Sequence, residues 1–410
     1  MRDTTSPSRG LLLDLLQRGL AAVHGRATVR DWLADHHAPG PFHLIALGKA
    51  AAAMTAGALD AAGEDLQSGL VITRYGYLDE PVYTDPRLMC LEAGHPVPDA
   101  QSLAAGNALQ LFLEQTPRDA RLLFLISGGT SSLVEASVAG VTPDELRRLN
   151  RWLLGSGLAI SEINRVRAAV SRIKGGRLAK QLHGRPATQL LISDVPGDVI
   201  SDIGSGLLVP SPPKPLPELP AEFTALPFQS GTVVESSDVK SFVIASNRHA
   251  RAAVVEAAQA SGHAVQDHGP FPVADAVACG ESIARELLAA SPGIHVWGGE
   301  STVRLPPDPG VGGRNQHLAL AAARILAGHP DTFLLAAATD GSDGSDDAGA
   351  LVDGASLVRG RDAGYDAGLC LKRAAAAEFL EGSGDLVDTG PTGTNVMDLV
   401  IAFKDSTRRA

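Results

Sequence analysis

Short apolar runs recur along the chain and alternate with longer segments whose apolar residues lie three and four positions apart. Runs of this length are typical of buried strands, and the longer spacing is typical of helices. The predicted strands are Phe42–Leu47, Leu122–Ile126, Gln189–Ser193, Ser241–Ala245, Ile294–Trp297, Thr332–Ala338 and Leu399–Phe403. The predicted helices between many of them are Leu103–Leu113, Asn247–Ala260, Ser282–Ala290 and Asn315–Leu326. This order, with uniformly apolar strands, predicts an α/β fold with a doubly wound, mostly parallel sheet.

A proline-rich segment, VPSPPKPLPELPAEF from Val209 to Phe223, interrupts this alternation. Its prolines are too dense for a helix or a central strand, so we expect an extended connector. At 410 residues the chain exceeds the size at which a single core keeps growing. We therefore predict an N-terminal domain over 1–235 and a C-terminal domain over 236–410. The alternative is that the connector wraps around the first domain.

The net charge of −11 argues against nucleic acid or an anionic membrane as the main partner. The three cysteines are widely spaced and form no CxxC pair, which favours a reducing compartment over a disulfide scaffold or a zinc site. Asp14, Gln17 and Arg18 interrupt the apolar stretch near the N-terminus, which predicts an amphipathic helix rather than a signal peptide. No run approaches the roughly 20 apolar residues of a membrane span. We expect a cytoplasmic protein.

The segments that follow five of the predicted strands share an unusual composition. In open parallel sheets, ligands bind beyond the carboxyl ends of the strands. Here these ends are rich in glycines, hydroxyl side chains and aspartates, with one lysine and one arginine. That composition suits an anionic ligand that carries phosphate and is accompanied by a divalent cation. The segments are GKAAAAM, SGGTSS, DVPGDVISDIGSG, GGESTV with the nearby GVGGRNQHLAL, and TDGSDGSDDAGALVD.

The segment SGGTSS predicts a phosphate-binding turn. Glycine lets the backbone approach a ligand closely, amides at a helix N-terminus attract anions, and the hydroxyls add donors. The alternative is a tight turn between a strand and a helix, in which a serine caps the helix. The nucleotide-binding candidates are Ser127, Gly128, Gly129, Thr130, Ser131 and Ser132.

Two cations and two carboxylates stand out at the other strand ends. Lys49 follows a glycine and opens an alanine-rich helix, and Arg314 follows two glycines at the start of another helix. A guanidinium can hold phosphate or carboxylate oxygens through two hydrogen bonds. Asp194 and Asp340 are candidates for binding Mg²⁺, which one or two carboxylates and phosphate oxygens typically hold. The alternative for each residue is a solvated side chain or a cap.

Known nucleotide motifs and a basic segment complete the candidates. The P-loop pattern fails at HLIALGKA, and every GxG segment lacks the third glycine of the dinucleotide motif. The segment from Ser161 to Ala179 predicts a helix with a basic face and a Gly-Gly stop. Its Arg165 and Lys174 are candidates for the carboxylate of a substrate, and solvation of that face is the alternative.

Eight ordered blocks resemble those of the glycerate 2-kinase family whose C-terminal domain is called MOFRL, formerly often labelled hydroxypyruvate reductase. They cover the chain from about residue 40 to 403. The resemblance implies transfer of the γ-phosphoryl group of ATP to the 2-hydroxyl of D-glycerate, with Mg²⁺. It implies a larger Rossmann-like N-terminal domain, a smaller α/β MOFRL domain, and an active site in the cleft between them. The blocks are LGKAAAAM, GHPVPD, LISGGTSSL, INRVRAAVSRIKGGRLA, LISDVPGD, GGRNQHLAL, TDGSDG and GPTGTNVMDL.

The resemblance also implies roles for single residues. The catalytic lysine and arginine of the family map onto Lys49 and Arg314. We expect Asp194 and Asp340 to divide the roles of metal ligand and proton acceptor, in either order. Small-molecule substrates are the expected partners, and a homodimer is one open alternative. Within the matching blocks or beside them, we assign Asn315, Gly393 and Asn395 to ATP, and Glu300 to the substrate together with Arg165 and Lys174.

The chain departs from the family pattern at three places, and two other functions stay open. IGSGLLVP, from Ile203 to Pro210, replaces IASGP, His317 replaces a glutamate, and Met397 replaces an asparagine. The first alternative function is an NAD(P)H-dependent hydroxypyruvate reductase, which the missing GxGxxG motif disfavours. The second is a non-catalytic protein that binds a sugar acid. The sequence leaves acceptor breadth and nucleotide and metal preference undetermined.

Overall fold

A computed structural model describes residues 6–36, 40–79, 82–212, 214–229 and 238–405, which fall into two compact units. The first, here called the parallel-sheet unit, comprises the described residues of His24–Ala245 together with Gly393–Asn395. The second, the mixed-sheet unit, comprises the described residues up to Val23, then Ser246–Thr392, and those from Val396 onward. The predicted domain boundary near residue 235 lies outside the described residues.

The parallel-sheet unit contains a six-stranded sheet with the order β3-β2-β1-β4-β5-β6, in which every neighbouring pair is parallel. This confirms the α/β fold and the parallel sheet that the sequence predicts. The strands are β1 Phe42–Leu47, β2 Leu66–Arg74, β3 Leu88–Ala93, β4 Arg121–Ile126, β5 Ala187–Ile192 and β6 Val239–Ala245. The described helices are α2 Gly25–His36, α3 Ala51–Ala62, α4 Ala100–Gln115, α5 Thr130–Leu133, α6 Pro143–Gly155, α7 Ile160–Ala169 and α8 Arg177–Lys180.

The mixed-sheet unit also contains a six-stranded sheet among its described residues, with the order β11-β10-β9-β12-β8-β7. Only β7 and β8 pair in parallel, so the sequence-based expectation of parallel pairing is wrong for the other strands. The strands are β7 Val265–Pro270, β8 Gly293–Gly299, β9 Thr332–Ala338, β10 Gly349–Asp353, β11 Leu386–Val387 and β12 Asp398–Lys404. The described helices are α1 Pro7–Ala22, α9 Asn247–Ala260, α10 Ala276–Ala289, α11 Arg314–Leu326, α12 Ser356–Asp362, α13 Ala367–Lys372 and α14 Ala376–Ser383.

Each unit has its own buried core. In the parallel-sheet unit, apolar side chains of β1, β4 and β5 pack with those of α4, and Phe124 is fully buried. In the mixed-sheet unit, Trp297 of β8 packs in a cluster with side chains of α11, β9 and β12. The proline-rich connector packs Leu216 and Leu219 against a third cluster, formed with α6 and α7 of the parallel-sheet unit. Burial of both sheet faces explains why these strands are uniformly apolar.

The basic segment differs from its prediction. Helix α7 ends at Ala169, so the expected helix from Ser161 to Ala179 is wrong in its second half. Ser171 forms a bridge with Ser137, and the chain then turns before the short helix α8. Lys174 follows that bridge and is 1% exposed, so it does not belong to a solvated helix face.

No helix of the described residues combines the length and the apolar composition needed to cross a membrane. The three cysteines lie within the described residues as free thiols. A cytoplasmic location stays a prediction.

The register of the parallel sheet sets the ends of three adjacent strands level. Leu47 of β1 pairs with Ile126 of β4, which in turn pairs with Leu191 of β5. Just beyond these ends, Gly48 has φ +119°, and a Cβ there would overlap Oγ and the carbonyl oxygen of Ser127. The turns after β1 and β4 therefore touch backbone to backbone, and only glycine fits at this position.

We predict that Gly48→Ala lowers the free energy of unfolding by about 2–4 kcal/mol, because the methyl group meets Ser127 and the backbone stays left-handed. Urea denaturation followed by circular dichroism measures this change. Gly10→Ala in α1 is the matched control, since a Cβ there meets nothing within 4 Å. The control is expected to raise stability by up to about 1 kcal/mol. Equal stability of the two variants would contradict the close approach of the turns.

Candidate functional site

Two βα turns of the parallel-sheet unit lock together where its strands β1 and β4 end. The amide of Lys49 donates to the carbonyl of Gly128 at 2.9 Å. The amide of Ala50 donates to Oγ of Ser127 at 3.0 Å, and that hydroxyl donates to the carbonyl of Leu47 at 3.4 Å. The N-cap residue of helix α3 supplies no side-chain cap. Ser127, from the neighbouring turn, accepts a hydrogen bond from the N-terminus of this helix instead. Lys49 is thereby held beside the glycines of SGGTSS.

The hydroxyl groups of SGGTSS bond within the protein. Thr130 donates to the carbonyl of Ser127 at 2.7 Å, and Ser132 donates to that of Gly129 at 3.1 Å. The hydroxyls of Ser131 and Ser205 are 2.7 Å apart. Because α5 is a single turn of four residues, it also lacks the dipole of a long helix. The geometry thus favours the alternative interpretation, in which SGGTSS is a tight turn between a strand and a helix. It gives no support to the predicted contacts of these hydroxyls with phosphate.

The backbone of the two glycines keeps the capacity to bind an anion. Among the described residues, the amides of Gly128 and Gly129 donate no hydrogen bond to another backbone group. Gly128 is buried, and buried amides are nearly always paired in folded proteins. Successive amides with left-handed geometry form concave anion sites, and Gly129 has φ +85°. The turn can therefore receive anionic oxygens through its amides.

Four side chains surround these glycines. A Cβ at Gly129 would lie 3.1 Å from Cγ of Lys49 and 3.1 Å from Cδ2 of His95. A Cβ at Gly128 would overlap the carboxylate of Asp194 and the amide of Asn395. The sequence interpretation missed His95, although it lies in the block GHPVPD.

Asp194 and Asn395 lie against the same turn. Nδ2 of Asn395 is 3.4 Å from Oδ2 of Asp194, which is half-buried after the end of β5. Gly393 belongs to the same short segment but packs elsewhere, because its carbonyl accepts the amide of Gly25 at 3.0 Å. The structure therefore brings Lys49, Asp194 and Asn395 together around the two glycines. Gly393 instead supports the start of α2.

The mixed-sheet unit centres its candidate residues on an arginine. Nε and Nη2 of Arg314 donate to the two carboxylate oxygens of Asp398 at 2.6 and 2.8 Å. Nη1 of Arg314 is 3.3 Å from Oε1 of Glu300. Burial by itself would lower the pKa of Arg314, but the charges of Asp398 and Glu300 outweigh it and raise the pKa above its ordinary value. Arg314 therefore stays cationic, with its guanidinium plane fixed by Asp398.

The sheet explains why these residues meet. β12 runs antiparallel to both β8 and β9, and its first residue, Asp398, pairs with Gly299 and Ala338. Glu300 and Asp340 follow the ends of those two strands by one and two residues, respectively. The sequence interpretation missed Asp398 as a site residue. A carboxylate that opens an otherwise apolar strand is the signal that could have found it.

Asp343 caps the helix that carries Arg314. Its Oδ1 accepts the amide of Asn315 at 3.1 Å, and its Oδ2 accepts the amide of Gln316 at 2.8 Å. The side chain of Asn315 also donates to Asp343 at 3.2 Å and is fully buried. Burial and the charge of Asp398 raise the pKa of Asp343 to about 6, although Arg314 and the two amides oppose this. The predicted contact of Asn315 with ATP gains no support, since its amide is used in the cap.

Asp340 is 4% exposed, and its Oδ1 accepts the amide of Ser342 at 3.2 Å. Within the described part of the chain, no group of three or more His, Cys, Asp or Glu side chains is placed to hold a metal ion. Mg²⁺ does not need such a group, because one or two carboxylates and the phosphates of a nucleotide can hold it. Asp194 or Asp340 fits that requirement as a single carboxylate.

The two basic candidates of the INRVR block have different surroundings. Lys174 forms a buried ion pair with Glu135, and its position inside the unit gives no support to contact with a substrate. Burial lowers the pKa of Lys174, and Glu135 opposes this. Arg165 instead lines an open cavity, and its nearest carboxylate contact is Glu162 at 3.6 Å.

The departures from the family pattern lie mostly inside the units. His317 is 1% exposed, its Nδ1 lies 2.6 Å from the carbonyl of Gly313, and its Nε2 is buried without a partner. Met397 is buried with φ +67°, a backbone geometry that asparagine tolerates better than methionine. In the segment IGSGLLVP, Leu207 and Leu208 are buried in the core.

We predict that Lys174→Met lowers the free energy of unfolding by about 3 kcal/mol, because it leaves Glu135 buried without its lysine. Urea denaturation measures the loss. Lys180→Met, an exposed lysine in α8, is the matched control, with an expected change within about 0.5 kcal/mol. Unchanged stability of Lys174→Met would contradict a structural role for the pair.

We predict a pH-dependent effect of Asp343→Asn. Asp343 has a pKa of about 6 when folded, above the ordinary 3.8, so its neutral form contributes stability that is complete below about pH 4. That contribution is lost as the pH rises through 6. The free energy of unfolding of Asp343→Asn minus that of the unsubstituted protein should therefore increase by roughly 1–3 kcal/mol between pH 4 and 7.

Urea denaturation at four pH values across this range tests the effect. Asp346→Asn, which alters an exposed carboxyl of the same loop, is the control that should show no such increase. A difference that stays constant with pH for Asp343→Asn would show that its carboxyl is not destabilised by burial.

Comparisons with known proteins cover both units. Residues 11–216 match a family model described as "Domain of unknown function (DUF4147)", and residues 293–398 match the MOFRL family. The D-glycerate 2-kinase of Thermotoga maritima is 32% identical over 96% of this chain and 97% of its own length. The glycerate 2-kinase of Pyrococcus horikoshii is 35% identical over 90% of this chain and 88% of its own.

A solved structure agrees with these matches. The crystal structure of a glycerate kinase from Thermotoga maritima has a TM-score of 0.82 and 31% identity to this chain, covering 96% of it and 99% of that chain. Because sequence and fold match over nearly the whole length, the chain belongs to the glycerate 2-kinase family that carries the MOFRL domain.

Proposed function

We propose that this protein is a glycerate 2-kinase, which transfers the γ-phosphoryl group of ATP to the 2-hydroxyl of D-glycerate and releases ADP. The names of relatives that match over most of the chain support this function. The observation that carries it is the pair of amides at Gly128 and Gly129, which donate to no other backbone group among the described residues and lie beside Lys49. A buried anion site next to a lysine is what a phosphoryl-transfer enzyme needs.

The amides of the glycine turn are proposed to hold phosphate oxygens. They are fixed before the ligand arrives, since the turn is locked to Gly48 and capped by its own hydroxyls. Fixed dipoles stabilise developing charge without reorganisation during the reaction. The hydroxyls of SGGTSS then serve the turn rather than the ligand.

Lys49 and Arg314 supply positive charge to the transferred group. The transition state of phosphoryl transfer is loose and spreads negative charge over the peripheral oxygens. Asp398 occupies Nε and Nη2 of Arg314, so Nη1 is the nitrogen that faces away from this pair, toward Glu300. The residues that bind D-glycerate stay predictions: Arg165 is a candidate for its carboxylate, and Glu300 is a candidate for another contact with the substrate.

The chemistry requires one proton transfer. As the oxygen of the 2-hydroxyl bonds to the γ-phosphorus, the bond from that phosphorus to the bridging oxygen of ADP breaks, and the hydroxyl proton passes to a base. Asp194 and Asp340 are the two candidates for the base, and one of them would hold Mg²⁺ beside the phosphates. When bound, Mg²⁺ neutralises phosphate charge.

The first βα turn of the parallel sheet argues against the reductase alternative. The strand order of the parallel sheet is that of dinucleotide-binding domains, in which the first βα turn carries GxGxxG. Here the turn after β1 reads GKAAAAM and is filled by Ser127. We therefore expect no oxidation of NADH or NADPH with hydroxypyruvate.

We predict that the purified protein releases ADP from Mg-ATP only when D-glycerate is added, and that NMR finds the new phosphate on carbon 2.

Lys49→Ala and Arg314→Ala should each lower kcat at least about a hundredfold, because each removes positive charge that stabilises the transition state. Lys180→Ala, an exposed lysine, is the control with unchanged kcat. Phosphate on carbon 3, or near-normal turnover of Lys49→Ala, would refute the assignment.

A further inference from the structure

A cavity of about 390 Å³ opens in the parallel-sheet unit between α7 and the proline-rich connector. Its volume lies within the roughly 300–1,000 Å³ of typical ligand sites. Three cationic side chains line it, and none of the described residues of its lining carries a carboxylate. The cations are Arg165, Arg177 and Lys214.

Two described carboxylates interact with the cations of the cavity. Oε1 of Glu162 is 3.6 Å from Arg165, and Asp202 interacts electrostatically with Arg165 and Lys214. Nε of Arg165 is buried without a hydrogen-bond partner. An unpaired buried donor on a cationic wall indicates that an anionic oxygen belongs there.

The rest of the wall is largely apolar. Leu216 of the connector and Phe228, which follows the connector, line one side, and Ala168 and Ala169 of α7 line another. A three-carbon acid such as glycerate would leave most of this volume and both apolar sides without contact. A ligand that joins a flat ring system to a chain of phosphates can use the apolar walls and the cations together.

A short chain of hydrogen bonds connects the cavity to the glycine turn. Oγ of Ser205 donates to Oδ1 of Asn164, which lines the cavity, at 2.9 Å. The same hydroxyl lies 2.7 Å from Oγ of Ser131 in the glycine turn. Two hydrogen bonds thus separate the cavity wall from the turn proposed to hold the phosphates. A nucleoside triphosphate is long enough to occupy both places.

We infer that this cavity binds the nucleoside part and the inner phosphates of the nucleotide. The inference rests on the proposed kinase function and deepens it, since it locates the donor rather than the acceptor. Arg165, a candidate for the carboxylate of the substrate, is then a ligand of the nucleotide. Phe228 and Leu216 contact the base.

Calorimetric titration of the full-length protein with Mg-ADP tests this inference. The dissociation constant for ADP should rise about tenfold in Arg165→Met and at least about threefold in Lys214→Met, because each loses a charged contact with phosphate. Arg151→Met, an exposed arginine of α6 outside the cavity, is the matched control and should bind ADP as the unsubstituted protein does. The KM for D-glycerate should stay within about twofold in all three variants.

Lys214 is exposed, so its variant keeps the test valid if Arg165→Met fails to fold. The inference is overturned if Lys214→Met binds ADP as tightly as the unsubstituted protein and Arg165→Met, where it folds, does so as well. A rise in the KM for D-glycerate with unchanged ADP binding would also overturn it and make the cavity an acceptor site. Failure of the kinase proposal is distinct, because the unsubstituted protein would then show no glycerate-dependent ADP release.

Discussion

The contact between Gly48 and Ser127 is the constraint on which the candidate site of the parallel-sheet unit depends. The ends of β1, β4 and β5 lie level in the sheet, so the turns that follow them lie close together. The missing side chain of Gly48 lets two turns touch, and the hydroxyl of Ser127 then caps the neighbouring helix. This contact places Lys49 beside Gly128 and leaves the amides of the glycine turn to a ligand. A hydroxyl that looks like a ligand donor in the sequence is instead what joins the two turns.

In the mixed-sheet unit, a buried ion pair fixes the position of the candidate cation, Arg314. Asp398 is fixed between two strands and is fully buried, so its charge requires a partner. Arg314 satisfies both carboxylate oxygens and stands at the start of a helix that Asp343 caps. The guanidinium is therefore held in one plane before any ligand binds. A rigid cation suits a reaction in which charge neutralisation, rather than covalent chemistry, lowers the barrier.

The sequence predicts the bounds of some strands well because their apolar runs are flanked by glycine, proline or polar residues. β1 and β9 have the predicted bounds, and Lys49 and Asp194 follow strands of one sheet as expected. Strands that contain polar residues are not predicted from apolar runs, and β7, with the sequence VQDHGP, is an example. Strand direction is not predicted either, since periodicity is the same for parallel and antiparallel pairing. The fate of Lys174 depends on Glu135, a partner distant in sequence, which local spacing does not reveal.

The departures from the family pattern at His317 and Met397 lie beside the Arg314–Asp398 pair. Both side chains are buried, and each lies next to a structural element of the Arg314–Asp398 pair. His317 bonds to the carbonyl of Gly313, which immediately precedes the helix that begins at Arg314, and Met397 immediately precedes Asp398 with a left-handed backbone. We expect changes at these positions to alter how firmly the pair is held.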